Sequence, residues 1–413
     1  MKIHIGRKLK LIKRIKINEK HIIYLLLIIP FFQLYSIDLL MNKGILHPLM
    51  YGIDRIFAVA RWGITAIVLI DSFQRQEKLG VVTKGIIVFS LLRCLSIIVN
   101  RDFGIGVIIG NITYISFAIL LERLIKYNNK LFIDVNRVFF GIVSFISIAT
   151  NIIFPYGFLF SEEKHEAVYF LGSKNSGFYY YVLFLFFLIL TYIVKENKLP
   201  VRVLLFAFFC ALGAYATSSA NTLLCIVVII AYLFFVRIIE NNVNFFEAKK
   251  LFFVLLVFSC IILFGKELNI INSFLELFGR NATFTGRDYI WEQNIKEYLQ
   301  TPLWGVGYEF EVLLRNDSYV NHAHNFFLDN LVKYGIIEFI SLLMILMITI
   351  KNIVVKKEKR LLAFYSIIFF VVILHSLFDD LSIYTLTIVF VAMEKVGERK
   401  KTNWRYILWE KNG

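Results

Sequence analysis

Two polar clusters in an otherwise apolar chain hold residues able to do chemistry. The first reads Thr285-Gly286-Arg287-Asp288-Tyr289-Ile290-Trp291, the second Asn321-His322-Ala323-His324-Asn325, and Pro302-Leu303-Trp304-Gly305-Val306-Gly307 lies between them. Arg287 follows a glycine at the start of a predicted helix. An arginine fork grips phosphate oxygens two at a time and keeps its charge, and the free N–H groups of a helix start add to anion affinity. Arg287 is thus a candidate diphosphate clamp, with Arg280 just upstream; the alternative is a solvated charge or a headgroup contact. His322 and His324, two residues apart, cannot share a helix face as a zinc pair would, and no third ligand is near. A neutral histidine there can take a proton from a hydroxyl. The plainer reading is an interfacial histidine satisfied by water or backbone.

Other polar groups lie among apolar residues. Asn325, Asp329 and Lys333 recur at helical spacing, and Asp329 and Lys333 are placed to pair with each other. Arg61 and Arg93 fall inside apolar runs. Facing lipid would be costly, so each must point inward or snorkel, either to help hold an anion or to pair with Asp54, Asp71 or a carbonyl. Asn175 and the Thr217-Ser218-Ser219-Ala220-Asn221 turn sit at helix ends, and turn chemistry accounts for the second. Asp379 and Asp380 read as solvated turn residues. Trp and Tyr faces suit sugar rings, and Trp291 is one candidate, although interfacial belts account for most aromatics. No phosphate-binding G-x-x-x-x-G-K-[ST] loop occurs, and no D-x-D element stands out in the first outer loop.

The elements that must position these residues are membrane helices. The chain has 413 residues, 58% hydrophobic and 18% charged, too apolar for a soluble domain. Apolar runs predict an all-α integral membrane protein with about twelve spans: 21–38, 56–71, 83–99, 104–122, 138–154, 178–194, 201–216, 221–236, 251–265, 325–350, 361–378 and 382–394. The net charge of +15 does not point to nucleic acid. Lys2, Arg7, Lys8, Lys10, Lys13, Arg14, Lys16 and Lys20 crowd the N-terminal tail, and most other basic residues fall in alternate loops and the C-terminal tail. That distribution puts both termini in the cytoplasm and favours contact with anionic lipid. It divides the chain into a basic tail 1–20, a transmembrane domain 21–394 and a basic tail 395–413, with extracytoplasmic loops at 155–177 and 266–324. The apolar run from Ile22 is long and lacks a cleavage site, so it reads as an uncleaved first helix. Within the larger loop, Trp291, Ile295, Tyr298 and Leu299 predict an amphipathic helix, capped by Thr285 and stopped by Pro302. The four cysteines lie in apolar runs and read as packing thiols.

The order Gly286-Arg287, Trp291, Pro302-Leu303, Gly305-Val306-Gly307, His322-Ala323-His324-Asn325, Leu328 and Gly335 resembles the late outer loop of the O-antigen polymerase (Wzy) and O-antigen ligase superfamily of bacterial envelope glycosyltransferases. Upstream, Lys174-Asn175-Ser176-Gly177 and Thr217-Ser218-Ser219-Ala220 look like two further family elements, with Ser219 where Arg is common; Arg61, Arg93 or Arg280 would replace that cation. The resemblance implies a metal-independent, cofactor-free membrane transferase acting on an undecaprenyl-diphosphate-linked oligosaccharide donor and acceptor. It suggests a flippase and a chain-length regulator as working partners, and capsule, exopolysaccharide or O-antigen as product. It assigns the diphosphate to Arg287 helped by Arg280, the hydroxyl proton to His324 or else His322, and orientation of the sugar or the histidine to Asn325. A polymerase is the leading reading and a ligase the runner-up. A lipid-linked-sugar flippase, suited by many spans with Arg61 and Arg93 inside, is disfavoured by the large loop and the absence of an internal repeat.

Overall fold

A computed structural model of the chain describes residues 19–32, 47–102, 104–157, 159–161, 166–195, 200–244, 246–264, 287–313 and 319–397. Arg280, Thr285, Gly286, most of both basic tails and the acidic tip Glu162-Glu163 lie outside these residues. The described chain is built from helices: α1 (Glu19–Ile28, extended by a 3-10 turn Ile29–Phe31), α2 (His47–Arg75), α3 (Val81–Val99), α4 (Ile105–Ile153), α5 (Gly177–Lys195), α6 (Val201–Ala216), α7 (Ala220–Asn241), α8 (Ala248–Phe264), α9 (Arg287–Tyr298), α10 (Phe326–Val354), α11 (Lys359–Ser376) and α12 (Ile383–Lys395). Two small antiparallel hairpins, β1 (Leu159–Ser161) with β2 (Glu166–Val168) and β3 (Val312–Leu313) with β4 (Tyr319–Val320), decorate the loops.

The protein is an all-α, multi-pass membrane protein. Among the described residues, α2, α3, α4, α5, α10 and α11 are long and apolar enough to cross a bilayer, with α6 and the first part of α7 shorter apolar helices. Helix α5 is apolar on all sides and almost wholly buried, as a central helix must be. Helix α2 instead turns Ile56, Val59, Ile67, Ile70 and Phe73 outward, where lipid is the matching solvent.

Contacts sort the turns onto two ends. At one end Gly80 N–H donates to the Glu122 carboxylate (2.9 Å), Val81 N–H to Glu394 (2.9 Å), and Arg360 meets Glu240 (3.2 Å). At the other, Asn100 Nδ2 donates to the Trp304 carbonyl (3.0 Å) and the Tyr179 hydroxyl to the Asp380 carbonyl (2.9 Å). This second end carries the candidate chemistry and is called the loop end below.

Two helices depart from the expected spans. The predicted loop 122–137 is helical: α4 runs through it, and only Asn128 breaks the helix (φ −155°, ψ 91°). Its side chain accepts the Leu131 N–H (3.0 Å) and so caps the second arm. Leu124, Ile125, Leu131 and Phe132 bury the stretch, which is why its basic residues did not make it a loop. Helix α10, expected as one span, breaks at Gly335 (φ +80°, ψ 177°). Residues 336–354 alone cover a bilayer core of roughly 30 Å at about 1.5 Å per residue. The arm 326–334 is therefore free to bend over the loop end.

Candidate functional site

The break in α10 is filled by the Pro302–Gly307 strap. Pro302 O accepts from Ile336 N–H (2.9 Å), while Val306 and Gly307 N–H donate to the freed carbonyls of Val332 (2.8 Å) and Lys333 (3.1 Å). Such close backbone approach needs glycine. A Cβ on Gly305 would come within 2.5 Å of the Lys333 carbonyl, and one on Gly335 would collide with the Leu303 carbonyl. The far side of the strap is tied to α3 through Trp304 O, which accepts from Ser96 Oγ (2.7 Å), and to Asp102, which accepts from Tyr308 N–H (2.7 Å). The strap thus sets the arm 326–334 and delivers Tyr308 beside Lys333.

The arm and α9 then fix the histidines. Trp291, Ile295 and Tyr298 give α9 the expected apolar face, which packs on Ala323, Leu328 and Val332. The helix ends at Tyr298, leaving Leu299 exposed. The Ala323 peptide is held from both sides: its N–H donates to Asp329 Oδ1 (3.0 Å), and its carbonyl accepts from Trp291 Nε1 (2.8 Å). Asp329 also pairs with Lys333 (3.3 Å), which donates in turn to the Asn321 carbonyl. Asn325 caps α10 by accepting Leu328 N–H (3.0 Å), and its Nδ2 donates to the Leu377 carbonyl (3.1 Å). Both polar atoms of Asn325 are thus engaged by backbone, which gives it a structural role as cap and tie. Trp291 is likewise buried and bonded, not open for stacking.

The hub that these residues converge on is the α11–α12 turn at 377–382, which sequence reading had left to solvent. Arg287 Nη1 donates to the Phe378 carbonyl (2.5 Å). Buried Asp379 lies 3.7 Å from His324 Nδ1. Burial alone would raise the Asp379 carboxyl, but the nearby His324, His375 and Arg287 side chains outweigh it and hold it down, to about 2. The His322 and His324 rings meet edge to face, 4.0 Å apart. Burial, then the His324, Lys333 and Arg287 charges, pushes His322 down to about 3, against the pull of Asp379. His322 Nδ1 accepts the His324 N–H (3.4 Å), which places its single proton on Nε2. In that tautomer it can donate from Nε2 but not take a proton there. His324 Nδ1 has no hydrogen-bond partner and faces the ionised Asp379 carboxylate at 3.7 Å; closing that gap would hold the proton on Nδ1 and leave Nε2 as the acceptor.

Below the hub, a cavity of 560 Å³ opens among α3, the start of α4, the arm of α10 and the start of α12. His322, Tyr308, Asp329, Lys333, Arg93 and Asp380 line it, together with Asn111, Tyr114, Tyr334 and Tyr384. Arg93 is paired, as the bland reading had it, but with a partner outside those named: Glu338 (3.0 Å), together with Asn330 (2.6 Å). Burial, then the Asp329 and Asp379 charges, raises the Asp380 carboxyl well above the usual carboxylate range.

The sequence candidates thus divide into groups. Arg287, His322, His324, Asn325 and Trp291 meet around the hub, and Arg93 shares the cavity with His322. Arg287 and His324 border this group without lining the cavity. Arg61 lies beyond the wall, facing the Tyr384 hydroxyl and, further off, Tyr114. Asn175 is apart: its carbonyl oxygen accepts from Ser219 Oγ (2.7 Å), and Asn221 Nδ2 approaches His375 Nδ1 (2.9 Å). The 217–221 turn is therefore a tertiary junction between α5, α7 and α11, beyond turn chemistry alone.

Residues 205–343 match the family model described as O-antigen ligase. Over that segment the chain is similar to the O-antigen polymerase/ligase-like superfamily. A segment is 35% identical over 85 residues to the exopolysaccharide production protein ExoQ of Rhizobium meliloti (strain 1021), covering 17% of this chain and 20% of that protein. The chain thus spans about a fifth of that relative's length. The matched segment includes the 217–221 turn, α9, the strap and the histidines. Arg93, Asp379 and Asp380 lie outside it, on α3 and in the α11–α12 turn. The pair Asp379-Asp380 was the signal within reach of sequence reading: two carboxylates abutting a helix end that must lie on the same face as the histidines.

Proposed function

We propose that this protein is a glycosyltransferase of polysaccharide synthesis, a member of the superfamily its matched segment resembles. It would pass a glycan from polyprenyl diphosphate to a sugar hydroxyl at the outer face of the cytoplasmic membrane. The observation that carries the reading is the His324–Asp379 pair beside Arg287 at the edge of a cavity of ligand size. The attacking hydroxyl oxygen forms a bond to the anomeric carbon. The bond from that carbon to the diphosphate oxygen breaks, and its electron pair leaves with the lipid diphosphate. His324 Nε2 takes the hydroxyl proton, and Asp379 stabilises the imidazolium that results. Arg287 meets the negative charge growing on the leaving group, with Arg280 as a further cation. Neutral His322 donates a hydrogen bond from Nε2 to the reacting sugar.

Within this chemistry we favour a polymerase of repeat units, making capsule, exopolysaccharide or O-antigen. The exopolysaccharide role in the name of the relative supports it. A ligase moving finished glycan to another carrier is the second reading, supported by the description of the matched family. Glycan analysis of a deletion strain separates them. A polymerase leaves single lipid-linked repeat units, whereas full-length lipid-linked polymer means a ligase. Unchanged glycan defeats both.

A further inference from the structure

The cavity has a charge arrangement that the transfer chemistry does not explain. Both cations in its wall are neutralised by the protein itself. Arg93 is held by Glu338 and Asn330, and its guanidinium lies over the Tyr334 ring (4.2 Å) and the Phe89 ring (4.9 Å). Lys333 is held by Asp329 and the Asn321 carbonyl. A diphosphate entering here would find no free positive charge in the wall. Acceptors, by contrast, are unspent. Asp380 takes one backbone hydrogen bond, from Leu381 N–H (2.8 Å), and no cation lies within ion-pair distance of it among the described residues. Asn111 is 1% exposed and lines the cavity; its Nδ2 is bonded to the Val107 carbonyl, but its Oδ1 has no partner. A buried amide oxygen left unpaired costs about 1–3 kcal/mol, and a ligand donor would relieve it. Aromatic rings complete the wall: Tyr114 and Tyr384 meet edge to face (4.8 Å), and Tyr308 lines it near Lys333.

We infer that this cavity is a saccharide pocket for uncharged, hydroxyl-rich sugars, in which Asp380 and Asn111 accept sugar hydroxyls and Asp380 excludes acidic ones. This rests on the proposed transfer reading and adds the substrate class. Aromatic faces stack on the C–H face of a pyranose. Hydroxyl protons satisfy the Asp380 carboxylate and Asn111 Oδ1. A uronate offers a carboxylate in place of donors, and it would meet the same burial and the same acidic neighbours that already disfavour the charged form of Asp380. The lipid diphosphate is thereby directed away from the cavity, towards the Arg287 side of the hub.

The test measures binding apart from transfer. Full-length protein in lipid nanodiscs is titrated with a neutral hexose oligosaccharide and with a hexuronic-acid oligosaccharide of equal length, by saturation-transfer NMR. The wild type should bind the neutral sugar at least about tenfold more tightly. Asp380→Asn should bring the two within about threefold, and Asn111→Leu should weaken both. Uronate binding equal to or tighter than neutral binding overturns the inference, as does an unchanged preference in Asp380→Asn. Lipid-linked transfer is assayed on the same samples. Transfer without the neutral preference sinks the pocket alone; the preference without transfer on any lipid-linked donor upholds the pocket and sinks the transferase reading.

Discussion

Asp379 and His322 illustrate how neighbouring side chains divide the chemistry. Asp379 is buried with its carboxyl held down, 3.7 Å from His324 Nδ1, and in the proposed chemistry it orients that ring. His322 is neutral with its proton facing outward. Asp379→Asn should cut turnover by about 10²–10³-fold, because the neutral amide neither fixes the tautomer nor stabilises the imidazolium. His322→Gln should lose about tenfold, having removed only a donor. Equal losses would refute the division of roles. Acid stability follows from the same shifts. Both groups have folded pKa values below their unfolded ones. The stability His322 contributes is complete above its unfolded value of about 6.5 and is lost as pH falls towards about 3. That of Asp379 is lost between about 4 and about 2. His322→Asn should therefore flatten the fall in melting temperature between about pH 7 and 4; a slope equal to wild type would contradict it. Sequence alone made the histidines candidates by type and position. It could not rank them, since the ranking rests on a carboxylate from a turn more than fifty residues away.

The elements that matter most are the strap and the broken α10. Gly335 sits at φ +80° with the Leu303 carbonyl where a Cβ would go. Gly335→Ala should cost about 1–3 kcal/mol in backbone strain alone and more from the collision, seen as a large drop in melting temperature. Gly63 is the control: it lies within α2 with nothing within 4 Å of a Cβ, so Gly63→Ala should be neutral or stabilise by about 0.5–1 kcal/mol. If both variants melt alike, the strap account fails. Asn325→Ala should cost about 1–2 kcal/mol as a lost cap, while sparing the sugar affinity that a direct contact would carry. The helices themselves were legible because their apolar runs are long and their flanks basic. The break at Gly335 was not, because a lone glycine in an apolar run reads the same whether or not a strap fills the gap. The continuity of α4 was missed for the converse reason: Arg123, Lys126, Lys130 and Arg137 suggested a loop, yet the apolar residues between them are buried.

At the scale of the molecule, alternation of the helices gathers the strap, the histidines, the α11–α12 turn and the mouth of the cavity at one end of the bundle. Charge patterning predicted that end as the outer one. Resemblance supplied the reaction class, and packing supplied Asp379, Asp380 and Glu338, each brought in by a helix distant in sequence. The central claim is that His324, oriented by Asp379, activates the acceptor hydroxyl while Arg287 receives the diphosphate. It is tested by purified protein in nanodiscs supplied with lipid-linked repeat unit, read as glycan product and released lipid diphosphate. Wild type should form product and release lipid diphosphate, whereas His324→Ala and Arg287→Ala, melting as wild type, should leave only single lipid-linked units. Wild-type chain lengths from either variant would contradict the account.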